Sequence, residues 1–445
     1  MRVGLDFGTT NSSAAIVEHG QVRLIPLDPV NATPEVLRSA LFIARDGRVF
    51  LGREAIDRYT AGNVGREVQY GRAHLGTIEM TFAEIGTIKQ DVYARVDINA
   101  PGRLFLSVKM ALPDSAYTGT NVFGARWTIE ELIGLMLRTI KERIEAETGQ
   151  AVDEMVIGRP VHYAPDAPGD ARAVGRMQHA AELAGLRAVR FLPEPTAAAM
   201  HYAWRSATAG TVVVFDFGGG TLDVTVMRLE QGGSYEVLAT DGVPVGGDLM
   251  DRRIVMGKLL QHFGAGAELG PRRLPLPAFL LEHLDGWQSI VELHAPRALE
   301  VIDEAVTTGN RPQQLRALRS LVRENYGLPL YEMVEANKRR LSEVDQVELA
   351  MDYADIRFRQ RLERWDFERL IGPDVRAVEM CLRRAIGSAG VQPDDVDSVV
   401  RTGGSSRIPR YVQLLRDVFP RAQILEQDVF TSVASGLALA AQQGA

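Results

Sequence analysis

Apolar residues recur along the chain at two spacings, every second residue or every third to fourth residue, and the spacing changes several times. Short apolar runs at 2–6 and 13–17 flank a polar turn, which predicts an opening β-hairpin. From Thr128 the spacing becomes helical; Thr128 and Glu131 form a capping-box pattern, and Gly149 ends the helix. The next predicted elements are a strand at 154–157, a helix at 169–184 and a strand at 188–192. Because strands alternate with helices, we expect an α/β fold.

The remaining segments carry shorter or weaker patterns. Residues 21–60 predict further strands and turns, whereas 60–125 are rich in glycine and predict irregular structure. Residues 264–312 are rich in proline and glycine with short helical stretches, and we interpret them as an insertion. Further predicted elements are strands at 211–215, 222–229 and 398–402, a short strand near Ile424, and helices at 328–341, from Pro409 and at 432–442.

One short motif occurs twice, 210 positions apart: DFGTT at 6–10 and DFGGGT at 216–221. An internal repeat of this kind predicts two related lobes that face each other. Glycine lets backbone N–H groups approach an anion and the hydroxyls add donors, so two facing turns could hold a polyphosphate between them. Asp6 and Asp216 would then hold a hydrated Mg²⁺ beside it. One such turn is explained equally well by its shape alone, but a matched pair favours a binding site.

Composition narrows the class of protein. The chain has 445 residues, 46% hydrophobic and 24% charged, which is typical of globular proteins and excludes intrinsic disorder. With 50 basic and 57 acidic side chains the net charge is −7, which argues against nucleic-acid binding. Cys381 alone cannot form an internal disulfide, and neither an apolar run of membrane-spanning length nor a secretory signal is visible. We therefore expect a cytoplasmic protein that binds neither nucleic acid nor membrane.

A helix with small residues is predicted at EPTAAA, 194–199, with Glu194 at its N-terminus, where the helix dipole favours a carboxylate. This motif is one of six blocks that follow one another along the chain: DFGTTNS at 6–12, EPTAAA at 194–199, DFGGGTLD at 216–223, GGDLMD at 246–251, EANKRRLS at 335–342 and TGGSSRIP at 402–409. In content and order these blocks resemble the nucleotide-binding domain of the seventy-kilodalton heat-shock (DnaK-type) chaperones. The chain resembles that domain over nearly its whole length, and in particular the short, YegD-like bacterial branch of the family. The resemblance implies a two-lobed, actin-like (duplicated ribonuclease H-like) ATPase fold with ATP and Mg²⁺ between the lobes.

The resemblance also implies a role for each matching position. Asp6, Glu194 and Asp216 would orient water and metal, Asp223 would support them, and Thr221 would contact the γ-phosphate. The phosphate-binding residues implied are Gly8, Thr9, Thr10, Asn11, Gly218, Gly219 and Gly220. The other ATP-binding residues implied are Gly246, Gly247, Asp248, Glu335, Lys338, Arg339, Ser342, Gly403, Gly404, Ser405 and Arg407.

The helix predicted at 328–341 fits this use independently of the resemblance. Four of its polar side chains share one face, at i, i+3, i+4 and i+7: Glu335, Lys338, Arg339 and Ser342. A polar stripe is ordinarily a solvated surface. Only five of the 50 basic residues are lysines, however, so a lysine at 338 favours a site over a random surface position.

The chain departs from the family pattern in two places. GREAI at 52–56 is the nearest match to the family's Gly-x-Ala-Ala pattern, and Ile56 stands where the catalytic lysine is expected, so we expect slow hydrolysis. Lys109 is a second candidate for this cation, and the alternative is a surface lysine. The segment 252–330 is longer than the family's typical connection and matches it poorly.

We predict one lobe at 1–206, to which 428–445 return, a second lobe at 207–427, and no peptide-binding domain. The leading hypothesis is an ATP-binding, slowly hydrolysing, chaperone-like nucleotide switch. It would be a monomer that acts through a co-chaperone, a nucleotide-exchange factor or a client protein. Two alternatives stay open: a scaffold or filament protein that binds nucleotide with little hydrolysis, and a small-molecule kinase of the same superfamily.

Overall fold

A computed structural model describes residues 1–82, 86–164, 166–205, 209–230, 234–426 and 432–443, with side chains throughout except at 72–96. The strands are β1 Arg2–Phe7, β2 Asn11–Glu18, β3 Gln21–Ile25, β4 Leu37–Arg38, β5 Ala40–Ala44, β6 Val49–Leu51, β7 Tyr70–Phe82, β8 Gly86–Asp97, β9 Gly102–Leu106, β10 Thr120–Val122, β11 Ala125–Trp127, β12 Glu154–Arg159, β13 Ala188–Pro193, β14 Gly210–Phe217, β15 Leu222–Leu229, β16 Tyr235–Val243, β17 Glu268–Leu269, β18 Leu274–Pro275, β19 Gln346–Tyr353, β20 Ile356–Glu363, β21 Ser398–Thr402 and β22 Gln423–Glu426. The helices are α1 Arg53–Asn63, α2 Ile129–Thr148, α3 Ala167–Leu183, α4 Glu194–Arg205, α5 Gly247–Ile254, α6 Ala278–Glu282, α7 Trp287–Glu292, α8 Pro296–Thr308, α9 Pro312–Arg323, α10 Gly327–Arg340, α11 Arg364–Leu370, α12 Gly372–Ala389, α13 Pro409–Val418 and α14 Ser432–Gln443.

Two large sheets share one topology. The first has the order β3-β2-β1-β12-β13, with β4 paired to β2, and the second has the order β16-β15-β14-β21-β22. In each, three consecutive strands pair antiparallel, and two later strands add in parallel beside the first of them. We call the parts of the molecule built on these sheets the first and second lobes. The duplication confirms the predicted α/β, two-lobed fold.

The repeated motif occupies the same place in both sheets. It forms the turn of an antiparallel hairpin, β1–β2 in the first lobe and β14–β15 in the second. Asp6 lies opposite Ser13 across the first hairpin, and Asp216 lies opposite Asp223 across the second. Each aspartate is the penultimate residue of its strand, so both carboxylates leave the sheet beside a glycine turn.

Helix α2 covers the first sheet, as its apolar spacing predicts. The capping box is present: Glu131 N–H donates to Thr128 Oγ1 at 3.2 Å, and Thr128 N–H donates to Glu131 Oε2 at 2.8 Å. Gly149 ends the helix with a φ of 68°, in the left-handed region that favours glycine. The buried face of α2 includes Leu132 and Met136, and burial of each such side chain contributes about 1.5–3 kcal/mol.

Two helices of small residues join the lobes. Helices α4 and α14 pack against each other and contact strands of both sheets. A β-carbon added at Gly436 would lie 1.7 Å from the Ala197 carbonyl oxygen, so the two backbones are in direct contact there. Their apolar side chains form one cluster with Val156 of the first sheet and Val214 of the second. The helix predicted at EPTAAA is therefore present, and its small residues allow the close packing that connects the lobes beneath the repeated turns.

Some predicted elements are wrong. Helix α1, Arg53–Asn63, begins inside the segment 21–60, where only strands and turns are predicted, because Gly52 provides no side-chain cap to mark its start. Residues 60–125 contain the β7–β8 hairpin and β9 rather than irregular structure. The predicted lobe boundaries, at 206/207 and 427/428, fall at residues outside the described ranges and stay predictions. Among the described residues, no helix is both long and apolar enough to span a bilayer.

Candidate functional site

A cleft of about 760 Å³ lies between the two hairpin turns. The structure brings nearly all of the predicted site residues to its walls. Those that line it are Asp6, Gly8, Thr9, Thr10, Asn11, Lys109, Glu194, Asp216, Gly218, Gly219, Gly220, Thr221, Asp223, Gly247, Asp248, Glu335, Lys338, Arg339, Ser342, Gly403, Gly404, Ser405 and Arg407. Gly246 instead lies behind the second turn, where an added β-carbon would be 2.2 Å from the Gly219 carbonyl oxygen.

The two turns come within contact distance of each other. A β-carbon added at Gly219 would lie 2.0 Å from Thr10 Oγ1, and one at Gly220 would lie 3.1 Å from Thr9 Oγ1. Thr10 Oγ1 is buried and has no hydrogen-bond partner among the described residues. Because an unpaired buried hydroxyl is costly, this atom is available to an acceptor placed between the turns.

Neighbouring loops fix the shape of both turns. Ser39 Oγ donates to the Gly8 carbonyl at 2.7 Å, and Ser405 Oγ donates to the Gly218 carbonyl at 2.7 Å. Gly403 has a φ of 79°, and an added β-carbon would lie 2.2 Å from the Phe217 carbonyl oxygen. Only glycine satisfies both the left-handed backbone and this close approach.

Three partly buried carboxylates, those of Asp6, Glu194 and Asp216, line the cleft beside the turns. Burial, followed by the charge of Glu194, raises the pKa of Asp6 to about 8. Burial and the charges of Glu194, Asp223 and Asp6 raise the pKa of Asp216 well above its usual range. These carboxyl groups therefore tend to stay protonated, and a positive charge placed beside them would stabilise their ionised forms.

Lys109 is the cation that faces this group. It lies in a short 3₁₀ helix, Val108–Ala111, directly after β9, and its Nζ donates to Glu194 Oε1 at 2.7 Å. Burial favours the neutral amine, but the charges of Glu194, Tyr163 and Asp6 outweigh it and raise the pKa of Lys109. Lys109 is only 6% exposed, so the alternative of a surface lysine is wrong. Ile56 is packed in the apolar cluster behind β5, and the cation comes from a different element.

Asp223 links the second turn to the first lobe. Its Oδ1 accepts from Val161 N–H at 3.0 Å and its Oδ2 accepts from Thr221 Oγ1 at 3.0 Å. Burial is the main cause that raises the pKa of Asp223 to about 7, and the charge of Glu194 adds to it. The carboxylate therefore orients the Thr221 hydroxyl at the edge of the cleft.

Helix α10 supplies the polar face predicted for the other end of the cleft. Lys338 is buried; its Nζ donates to the Gly247 carbonyl and to Asp251 Oδ2, both at 2.7 Å. Glu335 is held from the opposite lobe, because Arg38 donates to both its oxygens at 2.9 and 2.6 Å. Although burial opposes ionisation, the Arg38 charge and hydrogen bonds lower the pKa of Glu335 to about 2.

Several site residues were missed by the sequence analysis. Asp251 lies within the GGDLMD block, four residues after Gly247, and this spacing could have indicated it. Arg38 precedes the Ser39 that supports the first turn, but its pairing with α10 is visible only in three dimensions. Arg401 interrupts an apolar strand pattern, which is the signal of a buried charge with a partner.

The residues present fit a divalent cation. Among the described residues, no group of three or more His, Cys, Asp and Glu side chains forms a complete metal cluster. Asp6 and Asp216 nevertheless provide two carboxylates with raised pKa values in a cleft that can admit water and phosphate oxygens. Mg²⁺ prefers this kind of site because it keeps several waters and needs few protein ligands.

Comparisons with known proteins agree with this geometry. The sequence model of the family described as Hsp70 protein matches residues 2–269 and 324–443, and the gap lies within the segment 252–330 that was predicted to differ. The chain is 28% identical to a chaperone protein DnaK of Thermus thermophilus, over 99% of this chain and 60% of that protein. It is 30% identical to the heat shock 70 kDa protein BIP3 of rice, Oryza sativa, over 94% of this chain and 52% of that protein.

A third similar protein is a chaperone protein HscA homolog of Tolumonas auensis, 28% identical over 99% of this chain and 57% of that protein. The chain thus spans about half to three-fifths of the length of the curated relatives it matches. Since the family model covers most of the chain, the chain belongs to the Hsp70 family.

Proposed function

We propose that the chain binds ATP with Mg²⁺ in the cleft and hydrolyses it slowly, so that the bound nucleotide sets the state of the molecule. The observation that carries this proposal is the pair of matched turns that approach each other. Opposite Gly219, the buried Thr10 Oγ1 has no hydrogen-bond partner in the part of the chain that the structure describes. Backbone N–H groups and hydroxyls at such turns bind phosphate oxygens. A cavity of about 760 Å³ is within the range of small-molecule sites.

The two ends of the cleft bind different parts of ATP. Residues 8–11 and 218–221 surround the triphosphate, with Gly247 and Asp248 behind the second turn. Polar groups of α10 and of the loop after β21 hold the nucleoside: Glu335, Lys338, Arg339, Ser342, Gly403, Gly404, Ser405 and Arg407. Gly246 keeps the second turn close to α5 without touching the ligand.

Hydrolysis would rely on positioning and charge rather than on a covalent intermediate. Mg²⁺, held through Asp6 and Asp216, would neutralise phosphate charge. Glu194, fixed by Lys109, orients the attacking water, and the Lys109 ammonium stabilises charge that develops on the phosphoryl group. Asp223 holds the Thr221 hydroxyl toward the γ-phosphate.

Calorimetric titration of the purified chain with ATP and MgCl₂ tests the proposal. We expect saturable binding to ATP and weaker binding to AMP, because AMP cannot reach both turns. The absence of a binding signal for ATP with Mg²⁺ would overturn the proposal.

We further propose that the nucleotide state is read by a partner protein in the cytoplasm, such as a co-chaperone, an exchange factor or a client. The buried Lys109–Glu194 pair favours a hydrolysing switch over the scaffold or filament alternative, because a protein that only binds nucleotide does not require groups that orient the attacking water. Gel filtration with and without ATP separates them: a switch stays monomeric, whereas a filament protein changes its elution with nucleotide.

A further inference from the structure

A buried arginine stands in the second sheet at the nucleoside end of the cleft. Arg401 belongs to β21, between Phe215 of β14 and Glu426 of β22 in the strand register, and it is 8% exposed. The other four residues of β21 are all buried, and two of them are valines, so a guanidinium here costs free energy unless it is paired. The packing of the sheet therefore does not explain why an arginine occupies this position.

The contacts of Arg401 form a chain that leads into the cleft. Arg401 donates from Nη1 to the Ser406 carbonyl at 2.6 Å, and its Nη2 lies 3.1 Å from Glu426 Oε2. The other oxygen of Glu426, Oε1, accepts from Arg407 Nε at 2.7 Å. Arg401, Glu426 and Arg407 all line the cleft. One buried and one exposed guanidinium are thus joined through a single carboxylate.

Arg407 is the exposed member of this chain. Its side chain is 55% exposed, and Glu426 fixes it through Nε, while its two Nη groups have no partner among the described residues. A guanidinium fixed through Nε at the wall of the cleft is free to stack on a ligand, since guanidinium faces stack on aromatic rings and purines. Without Glu426, this long side chain would sample many rotamers, and ordering it would lower the binding affinity.

We propose that Arg401 and Glu426 are positioning residues that hold the Arg407 guanidinium in place for the base of the bound nucleotide. This proposal rests on the proposed function, because it takes Arg407 as a nucleoside contact. Arg401 acts from the buried side: it fixes Glu426 by charge and fixes the 403–406 loop through the Ser406 carbonyl. Neither residue bonds to a hairpin turn itself, but the 403–406 loop does, through Ser405 Oγ and the Gly218 carbonyl. A ligand that occupies only the phosphate end therefore shows whether their effect is confined to the nucleoside end.

Calorimetry on the intact chain tests the proposal with two ligands, ATP and inorganic tripolyphosphate, each with Mg²⁺. Arg401→Met keeps an apolar side chain of similar length, and Glu426→Gln keeps the shape of Glu426 without its charge. We expect either substitution to raise the Kd for ATP by about threefold to tenfold and to leave the Kd for tripolyphosphate within about twofold. Arg383→Met, which removes an exposed arginine of α12 that pairs with Glu379 on the same helix, is the matched control and should change neither.

A double-mutant cycle separates positioning from a structural role. If Arg401 acts through Arg407, Arg401→Met has no further effect on ATP affinity in an Arg407→Ala background. Additive losses, or an equal loss of tripolyphosphate binding, would show that Arg401 only stabilises the loop and would overturn the proposal. If the unsubstituted chain binds ATP but both variants bind it equally well, this inference alone fails. If the unsubstituted chain binds no ATP, the proposed function itself fails.

Discussion

Lys109 is the buried ammonium that faces Asp6, Glu194 and Asp216, and its removal tests the chemistry of the cleft. We expect Lys109→Met to lower kcat for ATP hydrolysis by about 100-fold or more, because the charge that develops on the phosphoryl group loses its fixed cation. The Kd for ATP with Mg²⁺ should change less than kcat does. A steady-state phosphate-release assay and calorimetry measure the two quantities.

The matched control is Lys141→Met. Lys141 pairs with Glu145 on the same helix, away from the cleft, and its substitution should leave kcat unchanged. Equal turnover in the two variants would remove Lys109 from the mechanism.

The Lys338–Asp251 pair makes the free energy of unfolding depend on pH, and the burial of Asp251 determines the sign of that dependence. Burial, only partly offset by Lys338, raises the pKa of Asp251 from 3.8 to about 7. Between these values the folded chain keeps a proton that the unfolded chain has lost. This group therefore lowers the free energy of unfolding by about 1.4 kcal/mol per pH unit as the pH rises through the interval.

Urea denaturation of the ligand-free chain at several pH values between 5 and 8 measures this dependence. We expect Asp251→Asn to flatten the profile, since asparagine stays neutral throughout and Lys338 keeps its bond to the Gly247 carbonyl. Parallel profiles for the two proteins would contradict the assignment.

At the scale of elements, adding one methyl group to the second hairpin turn tests whether the two turns enclose the phosphates, because it changes the space between them and no charge. A β-carbon at Gly219 would meet Thr10 Oγ1 at 2.0 Å and Asp248 Oδ1 at 3.2 Å. We expect Gly219→Ala to weaken ATP binding by about tenfold or more, because the methyl group forces the turns apart where phosphate oxygens would be bound. Fluorescence-detected melting in parallel shows whether the variant stays folded.

Gly175→Ala is the control for this change. Gly175 lies on an exposed face of α3 with no atom near the added β-carbon, and alanine there should leave binding unchanged. If Gly219→Ala also binds ATP normally, the turns do not enclose the phosphates.

The elements that the sequence predicts best are those with local signals. Helix α2 has a capping box and a terminal glycine, and the repeated motif marks both hairpin turns without reference to the rest of the chain. Helix α1 has no such signal, since it begins at a glycine with no side-chain cap. The site follows the same rule, because the matched blocks indicate the turns and α10 by local sequence alone. The roles of Arg38 and Glu426 depend on contacts between segments that are distant in sequence, so the sequence does not predict them.

On the scale of the whole molecule, the contacts between the lobes differ at the two ends of the cleft. Below the turns, α4 and α14 pack backbone against backbone, which leaves little room for movement. At the opposite end polar and apolar contacts are mixed: the Arg38–Glu335 ion pair, a bond from Gly65 N–H to the Glu324 carbonyl, and an apolar cluster in which Leu328 packs with Ile56 and Tyr59. This difference favours opening as a hinge about the packed helices.

The Arg38–Glu335 pair spans this opening end, so it should control how fast nucleotide leaves. The pair is bidentate and its side chains are only 23% and 20% exposed, so it is stronger than a surface ion pair. We expect Arg38→Ala to speed the release of a fluorescent ADP analogue by about threefold to tenfold in stopped-flow experiments. Raising the ionic strength should speed release from the unsubstituted chain more than from this variant, because the variant has lost the screened interaction.

A second arginine on the same edge provides the control. Arg53 reaches Glu332 through a single contact of 3.6 Å, and its side chain is 45% exposed, so Arg53→Ala should change the release rate by less than about twofold. Equal rates for both variants would mean that general surface charge, rather than this ion pair, determines release. An unchanged rate in Arg38→Ala would mean that the lobes are held closed by the helices beneath the turns and that the ion pair is a consequence of closure.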